Sequence, residues 1–185
     1  ARFSRDGLAS GRQPRAMNAP IRRMTIGDRV PNFLLEDTDG KRRELYNTDL
    51  TGGPIILLLA EQQTKSCLKR FAEKETAFQR FGAHCYALIN PKDHALAPVA
   101  TLSGFTLLPD PDANVRNTYL EASGLTAPAL FALDPNQRIV AIAGAKDVDS
   151  FVEKAHAAFQ RIAPQDPPKL ITQQAPVLFI PNVLN

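Results

Sequence analysis

The chain of 185 residues is 44% hydrophobic and 22% charged, enough for one domain with a complete core. Its formal net charge is +3. Residues 1–23 hold six arginines and one aspartate, a net charge of 6 − 1 = +5, so the remaining chain carries 3 − 5 = −2. Phosphate binding needs a clustered basic face built on the fold, so this balance gives no reason to expect a nucleic-acid partner. No run reaches the ~18 apolar residues of a membrane span.

Composition predicts three parts. Residues 1–23 form a flexible basic leader, residues 24–163 the folded domain, and residues 164–185 a proline-rich linker with an apolar end. The leader has no apolar core of a secretory signal, but its arginine-rich, acid-poor composition weakly resembles an organellar transit peptide. The end, "APVLFIPNVLN", is either the start of a further domain or an arm folded back on this one.

The two cysteines, Cys67 and Cys85, are too few for a disulfide framework and form no CxxC pair. They favour a reducing compartment, and we predict a cytoplasmic location, with organellar import left open by the leader. The three histidines make no cluster at metal-binding spacing. No metal or cofactor site is therefore predicted.

The first half of the domain predicts a hairpin followed by a buried strand and a helix. An extended stretch at 33–35 leads to an Asp-Gly turn at Asp39 and a return strand. The unbroken apolar run Ile55 to Ala60 is typical of a strand buried on both faces of a sheet. Apolar residues at helical spacing then predict a helix from Cys67 to Phe81, ended by Gly82.

The second half alternates strands and helices. Strands are predicted at 84–90, before 110, at 129–133 and at 138–143, with helices at 92–102, 113–122 and 147–163. The last helix places an apolar face on Phe151, Val152, Ala155, Phe159 and Ile162. Capping or turn roles are predicted for Asp110, Asp112, Asp134, Asp147 and Asp149. Together these elements predict an α/β sandwich with a mixed sheet.

Three stretches resemble the peroxiredoxins of the AhpC/TSA type. They are "IGDRVPNFLLEDTDGKRREL", "GFTLLPDPDANVRNTYL" and "LFALDPNQRIVAI", and the resemblance covers about residues 24–163. It implies a thioredoxin-like fold, a three-layer sandwich whose central mixed sheet is flanked by helices, with an N-terminal hairpin. These stretches belong to the scaffold, so they support the fold more than the activity.

The active-site motif of that family is matched in part. Its Pro-x-x-x-Thr-x-x-Cys pattern falls on Thr64 and Cys67, with Ala60 in the place of proline. The family's distant arginine falls on Pro128. The resemblance implies that Cys67 is the peroxide-attacking thiol and that Thr64 hydrogen-bonds the sulfur or a peroxide oxygen.

A thiolate needs a nearby positive charge, and the lost arginine leaves open what supplies it. A helix N-terminus at Cys67 favours negative charge, and Lys65 or Arg70 could add a cation, although both also fit as solvated surface charges. Pro128 resembles the cis-proline of thioredoxins, with Ala127 pairing with an extended substrate; a trans proline at a strand entry is the alternative.

Two functions follow from the resemblance. The first is a one-cysteine thiol peroxidase that reduces peroxides through Cys67 and is recycled by an external thiol, since Cys85 lies at no familiar resolving spacing. The second is a catalytically degenerate binding or regulatory module attached to a 2-oxoglutarate/Fe(II) dioxygenase. The segment "APVLFIPNVLN" weakly resembles the entry strand of such a dioxygenase domain. The family also makes a homodimer an expectation.

Overall fold

The structure is a computed structural model that describes residues 22–46, 53–61, 64–74, 78, 80–92 and 104–162. The predicted leader, linker and C-terminal segment lie almost wholly outside these residues. So does nearly all of the helix predicted at 92–102. Those predictions therefore stay predictions.

An antiparallel hairpin precedes the main sheet. Its strands are β1 (Leu34–Glu36) and β2 (Arg42–Glu44), as the sequence predicts. Gly40 takes a φ of +76° in the turn, a conformation that costs glycine little. The buried carboxylate of Asp37 accepts hydrogen bonds from two backbone N–H groups of the turn and from Arg43. The hydrogen bonds to the Asp37 carboxylate and the positive φ of Gly40 thus both stabilise the turn.

Five strands form the central mixed sheet, in the order β5-β4-β3-β6-β7. Strands β3, β4 and β5 run parallel, whereas β6 runs antiparallel to both β3 and β7. The strands are β3 (Ile55–Leu59), β4 (His84–Ile89), β5 (Thr106–Pro109), β6 (Ala129–Leu133) and β7 (Ile139–Gly144). This arrangement confirms the predicted mixed sheet and both predicted hairpins.

Helices cover the two faces of the sheet. The helices are α1 (Thr64–Ala72), α2 (Asn114–Ser123) and α3 (Val148–Ile162). Buried side chains of α1 and α3 share one hydrophobic cluster with one face, and Tyr119 of α2 joins the N-terminal residues in a second cluster on the other face. The three-layer sandwich is confirmed.

Strand β3 lies at the centre of both clusters. Ile56 and Leu58 face α1 and α3, whereas Ile55, Leu57 and Leu59 face the opposite layer. All five side chains are fully buried. The chain therefore leaves β3 from the middle of the sheet when it enters α1.

Two helix predictions need correction. Helix α1 begins at Thr64, not at Cys67, because Thr64 and Glu61 exchange hydrogen bonds that form the first turn. Ile162 is 41% exposed at the end of α3, and Ala158 joins the buried face. The C-terminal half of the first predicted helix lies partly outside the described residues.

The predicted turn and capping roles are confirmed for Asp110 and Asp134. Asp110 accepts the backbone N–H of Arg116 at the start of α2, and Asp134 accepts two N–H groups of the β6–β7 turn. Asp149 lies in the first turn of α3, as predicted, and its carboxylate also forms an ion pair with Arg70, a partner 79 residues away.

Within the described ranges, no helix combines the length and the apolar character that a membrane crossing requires.

Candidate functional site

The candidate residues lie at one edge of the sheet. Strands β3 and β5 both end there, because both run parallel to β4. Strand β6 begins there, because it is antiparallel to β3 and pairs Ala129 with Leu59. The carboxyl ends of parallel strands are the usual ligand-binding edge of such sheets.

Cys67 lies in the first turn of α1 and is only 3% exposed. Its side chain packs in the same cluster as Leu68 and Phe71. Burial raises the pKa of the Cys67 thiol to about 11, and the positive charge of Arg70 opposes this rise. The thiol is therefore protonated at neutral pH in this conformation.

Thr64 begins the same helical turn, three residues before Cys67, and is fully buried. Its Oγ1 accepts the N–H of Glu61 at 2.6 Å, and its own N–H donates to the Glu61 carbonyl at 2.9 Å. The hydroxyl keeps its hydrogen as a donor. Thr64 thus shapes the turn that leads to Cys67, whatever further role it has toward a substrate.

The Ala127–Pro128 peptide bond is cis, which decides between the two alternatives left open by the sequence. Pro128 is buried and directly precedes Ala129, the partner of Leu59 in the sheet. The antiparallel register therefore sets Pro128 beside Ala60, the residue that begins the loop to α1. The roles of Ala127 and Pro128 toward a substrate remain predictions.

The two candidate cations are on the surface. Lys65 is exposed, and Arg70 has a side chain that is 46% exposed. Arg70 forms an ion pair with Asp149 of α3, whose second oxygen lies 3.6 Å from Lys74 Nζ. Asp149 therefore offsets part of the positive field that Arg70 exerts on Cys67.

Changing the two partners of this ion pair is expected to move the pKa of Cys67 in opposite directions. Asp149→Asn removes the competing negative charge and should lower it, whereas Arg70→Met should raise it. Because the pair is exposed and screened, we expect alkylation at pH 8 to change only about twofold in each case. Iodoacetamide kinetics in a Cys85→Ser background measure this, and shifts of the same sign would contradict it.

Arg116 is a functional candidate that the sequence reasoning missed. This α2 residue is 7% exposed and donates from Nη1 to the Ala60 carbonyl at 3.1 Å and from Nη2 to the Asp110 carbonyl at 3.2 Å. An arginine in an amphipathic helix is normally expected on the solvent face. The available signal was its position three residues before Tyr119, on the buried face of α2.

Cys85 is distant from this edge. It pairs with Ile56 near the start of β3, so it lies roughly 13 Å along the strand direction from Ala60. A disulfide requires Cα atoms within about 7 Å, and both cysteines are free. Cys85 packs against the same hydrophobic cluster that contains Cys67, and its part in resolving an oxidised Cys67 stays a prediction.

No group of three metal-binding side chains of the His, Cys, Asp and Glu types is found in the part of the chain that the structure describes.

The fold and the site define a thioredoxin-like protein with a single cysteine in the first turn of the helix after the central strand and a cis-proline on the neighbouring strand. The AhpC/TSA family matches residues 26–142, more than half of the chain. The chain belongs to the AhpC/TSA family, and it is a thiol-dependent redox protein of that family.

Similar proteins come from two branches of thiol chemistry. The chain is 26% identical over 132 residues to the thiol-disulfide oxidoreductase ResA of Bacillus subtilis, covering 68% of this chain and 71% of ResA. The peroxidoxin BcpB of Mycobacterium tuberculosis has a similar structure, with TM-score 0.58, 21% identity and coverage of 76% and 99% of the two chains. A putative DsbE-type thiol:disulfide interchange protein of Chlorobium tepidum reaches 0.59 with 18% identity, covering 74% and 99%. At such identities these structures support the fold alone.

Proposed function

We propose that this protein is a one-cysteine thiol peroxidase in which Cys67 reacts with peroxide. The observation that carries this proposal is the position of Cys67 at the carboxyl edge of the sheet, one helical turn after the buried Thr64. Peroxide as the oxidant is the expectation that membership of the AhpC/TSA family carries.

The reaction balances with one peroxide and two molecules of an external thiol. The Cys67 thiolate attacks a peroxide oxygen, the O–O bond breaks, and an alcohol or water leaves with a proton, which makes a sulfenic acid. The first external thiol condenses with the sulfenic acid to a mixed disulfide and releases water. The second displaces Cys67 as a thiol and leaves as the external disulfide. External thiols are invoked because Cys85 stands at no familiar resolving spacing in the sequence and both cysteines are free.

The burial of Cys67 sets the expected pH dependence. With a pKa near 11, the thiolate fraction grows with pH across the whole neutral and mildly alkaline range. We expect the second-order rate constant with hydrogen peroxide to rise about tenfold for each pH unit between 7 and 10. Stopped-flow single-turnover kinetics measure it, and a profile that is flat above pH 7 would contradict the buried, protonated thiol.

A second function, a catalytically degenerate binding or regulatory module, is favoured by two observations. Burial raises the pKa of Cys67, and the family resemblance sets Pro128 where the family carries its arginine. A pKa raised from 9.0 to about 11 leaves roughly 100-fold less thiolate at pH 7 than an unperturbed cysteine has. Interactions at Thr64 and the start of α1 must therefore lower the barrier enough to overcome this deficit if the protein is a peroxidase.

Comparison with free cysteine at pH 7 separates the two functions. A rate constant for the protein above that of free cysteine supports the peroxidase, and one at or below it supports the module.

A homodimer and a linked dioxygenase domain are proposals from the family resemblance. Light scattering tests the first, and the length of the natural reading frame tests the second.

A further inference from the structure

We propose that Arg29, Asn136 and Arg138 form a binding site for a phosphate group, either free as inorganic phosphate or carried by a small molecule. In the part of the chain that the structure describes, these three residues line a cavity of about 350 Å³, here called the arginine cavity. It lies beside the β6–β7 turn, at the edge of the sheet opposite Cys67, because β6 runs antiparallel to β3 and ends where β3 begins. The proposal is therefore independent of the peroxidase chemistry.

The backbone brings the two arginines together. Arg29 and Arg138 are direct partners in an antiparallel bridge. Hydrogen bonds of 3.1 Å and 2.9 Å on either side join residues 28–30 to residues 137–139, which makes the arginines a non-hydrogen-bonded pair. In such a pair the Cα atoms lie about 4.5 Å apart and the side chains leave on the same face. Two like charges are thus held side by side, an unfavourable arrangement that a bound anion relieves.

Arg29 is oriented by groups that do not neutralise it. Its Nη2 donates to the side-chain oxygen of Gln137 at 3.0 Å, and Gln137 is itself buried. Its guanidinium carbon lies 4.0 Å from the centroid of the Tyr46 ring, a contact that restricts the plane of the guanidinium. An amide oxygen and an aromatic face hold the cation in place and leave its full charge for a ligand.

Arg138 is fixed through its backbone and its side chain. Its Nη1 donates to the Gly27 carbonyl at 3.0 Å, and its backbone N–H donates to Oδ1 of Asp134 at 2.9 Å. The same oxygen accepts the backbone N–H of Asn136 at 2.8 Å, so one carboxylate sets the turn that carries two of the cavity residues. A guanidinium has five N–H donors, and the side-chain hydrogen bonds among the described residues use one in each arginine.

The charge of the arginine cavity is only partly offset by its surroundings. Among the described residues, no carboxylate forms an ion pair with Arg29 or Arg138. Asp28 accepts the Thr25 N–H at 2.9 Å and Arg22 Nη2 at 2.6 Å, so its oxygens are engaged elsewhere. The Thr25 N–H, the charge of Arg22 and, last, that of Arg138 lower the pKa of Asp28, which therefore carries its negative charge at neutral pH.

Phosphate matches this site better than a carboxylate does. Two arginines supply two positive charges and can each donate a pair of hydrogen bonds, and a phosphate group carries about −1.5 to −2 charges at pH 7 on several acceptor oxygens. A carboxylate has one charge and two oxygens, so it satisfies one arginine and leaves the other. The Asn136 amide adds a neutral donor. The cavity volume is near the lower end of the range of about 300–1,000 Å³ that is usual for small-molecule sites.

Nuclear magnetic resonance titration of the full chain tests the site. Inorganic phosphate, adenosine 5′-monophosphate and acetate are added to ¹⁵N-labelled protein, and the side-chain Nε–H signals of the arginines and the amide signals of Asn136 are followed. We expect saturable shifts at Arg29, Asn136 and Arg138, with a Kd for inorganic phosphate of about 1 mM at low salt, weakened several-fold by added sodium chloride. Acetate should bind at least about tenfold more weakly.

Two variants and a matched control locate the binding. Arg29→Gln and Arg138→Gln each remove one charge and keep an amide donor, and each should raise the Kd at least about fivefold. Arg42→Gln removes an equal charge from β2, where Arg42 lies 3.6 Å from Glu36 and outside the arginine cavity, and should change the Kd less than about twofold. Arg138→Gln leaves the bond between Arg29 and the buried Gln137 intact, so it tests the site even where Arg29→Gln destabilises the fold.

The outcomes separate the source of the phosphate from the existence of the site. Tighter binding of the nucleotide supports a phosphate carried by a larger molecule, whereas equal or weaker binding supports inorganic phosphate, and both support the site. The proposal is overturned if the shifts do not saturate by about 20 mM phosphate, if acetate binds as tightly, or if Arg42→Gln weakens binding as much as the cavity variants do. No step involves peroxide, so failure of the peroxidase proposal would leave this result unchanged.

Discussion

Replacement of Cys67 by serine is expected to abolish the reaction with hydrogen peroxide, down to the rate of protein-free buffer. A serine hydroxyl is not ionised near neutral pH and forms no sulfenic acid, so the first bond of the proposed cycle is never made. Stopped-flow peroxide consumption measures the loss, and mass spectrometry of the trapped sulfenic acid reports which cysteine gained oxygen.

The matched control is Cys85→Ser, which should keep the wild-type rate because Cys85 lies near the start of β4, far from the candidate edge. A buried serine hydroxyl without a partner costs about 1–3 kcal/mol, so Cys67→Ala serves as a second variant that buries no hydroxyl. Peroxide consumption that survives in both Cys67 variants, or disappears in Cys85→Ser, would contradict the assignment of the reacting thiol.

Phe71→Ala is expected to cause the largest loss of stability, because Phe71 anchors α1 to the sheet and to its neighbours. It is 1% exposed, and its ring lies 5.3 Å from that of Phe78 and 4.9 Å from that of Phe105, between centroids. Removing a buried phenyl ring costs about 3–5 kcal/mol through lost burial and the cavity left behind. That is a large share of a typical free energy of unfolding of roughly 5–15 kcal/mol.

Urea titration followed by circular dichroism measures this loss. Leu34→Ala is the control, since Leu34 is 57% exposed on β1 and should change stability by less than about 0.5 kcal/mol. A loss below about 1.5 kcal/mol for Phe71→Ala would mean that α1 repacks around the vacant volume, and the anchoring role would then be wrong.

Local patterns allowed most of the fold to be predicted. Neighbouring residues encode three of these elements, and each lies where it was expected. They are the Asp-Gly turn of the first hairpin, the unbroken apolar run of β3 and the turn between β6 and β7. The start of α1 was predicted three residues late, because the bond between the Thr64 hydroxyl and the Glu61 N–H depends on a loop conformation that periodicity does not show.

The candidate site could be predicted only in part. Thr64 and Cys67 were proposed from their resemblance to the Thr-x-x-Cys motif of the family, and the cis form of Pro128 was one of two alternatives. Arg116 was missed because its burial depends on carbonyls at the ends of other segments, at Ala60 and Asp110. The pairing of Arg70 with Asp149 was missed for a similar reason, since the two meet only when α1 and α3 pack on the same face.

The sequence by itself determined the order of strands and helices, the family and the position of Cys67 near the start of a helix. These depend on hydrophobic periodicity, turn residues and a short motif, all of which act over a few neighbouring residues. Only the tertiary structure decided the burial that raises the pKa of Cys67, the pairing of Arg70 with Asp149 and the contact of Arg116 with the Ala60 carbonyl. Burial and long-range polar contacts exist only once the sheet has assembled, and they govern how a thiol at this position reacts.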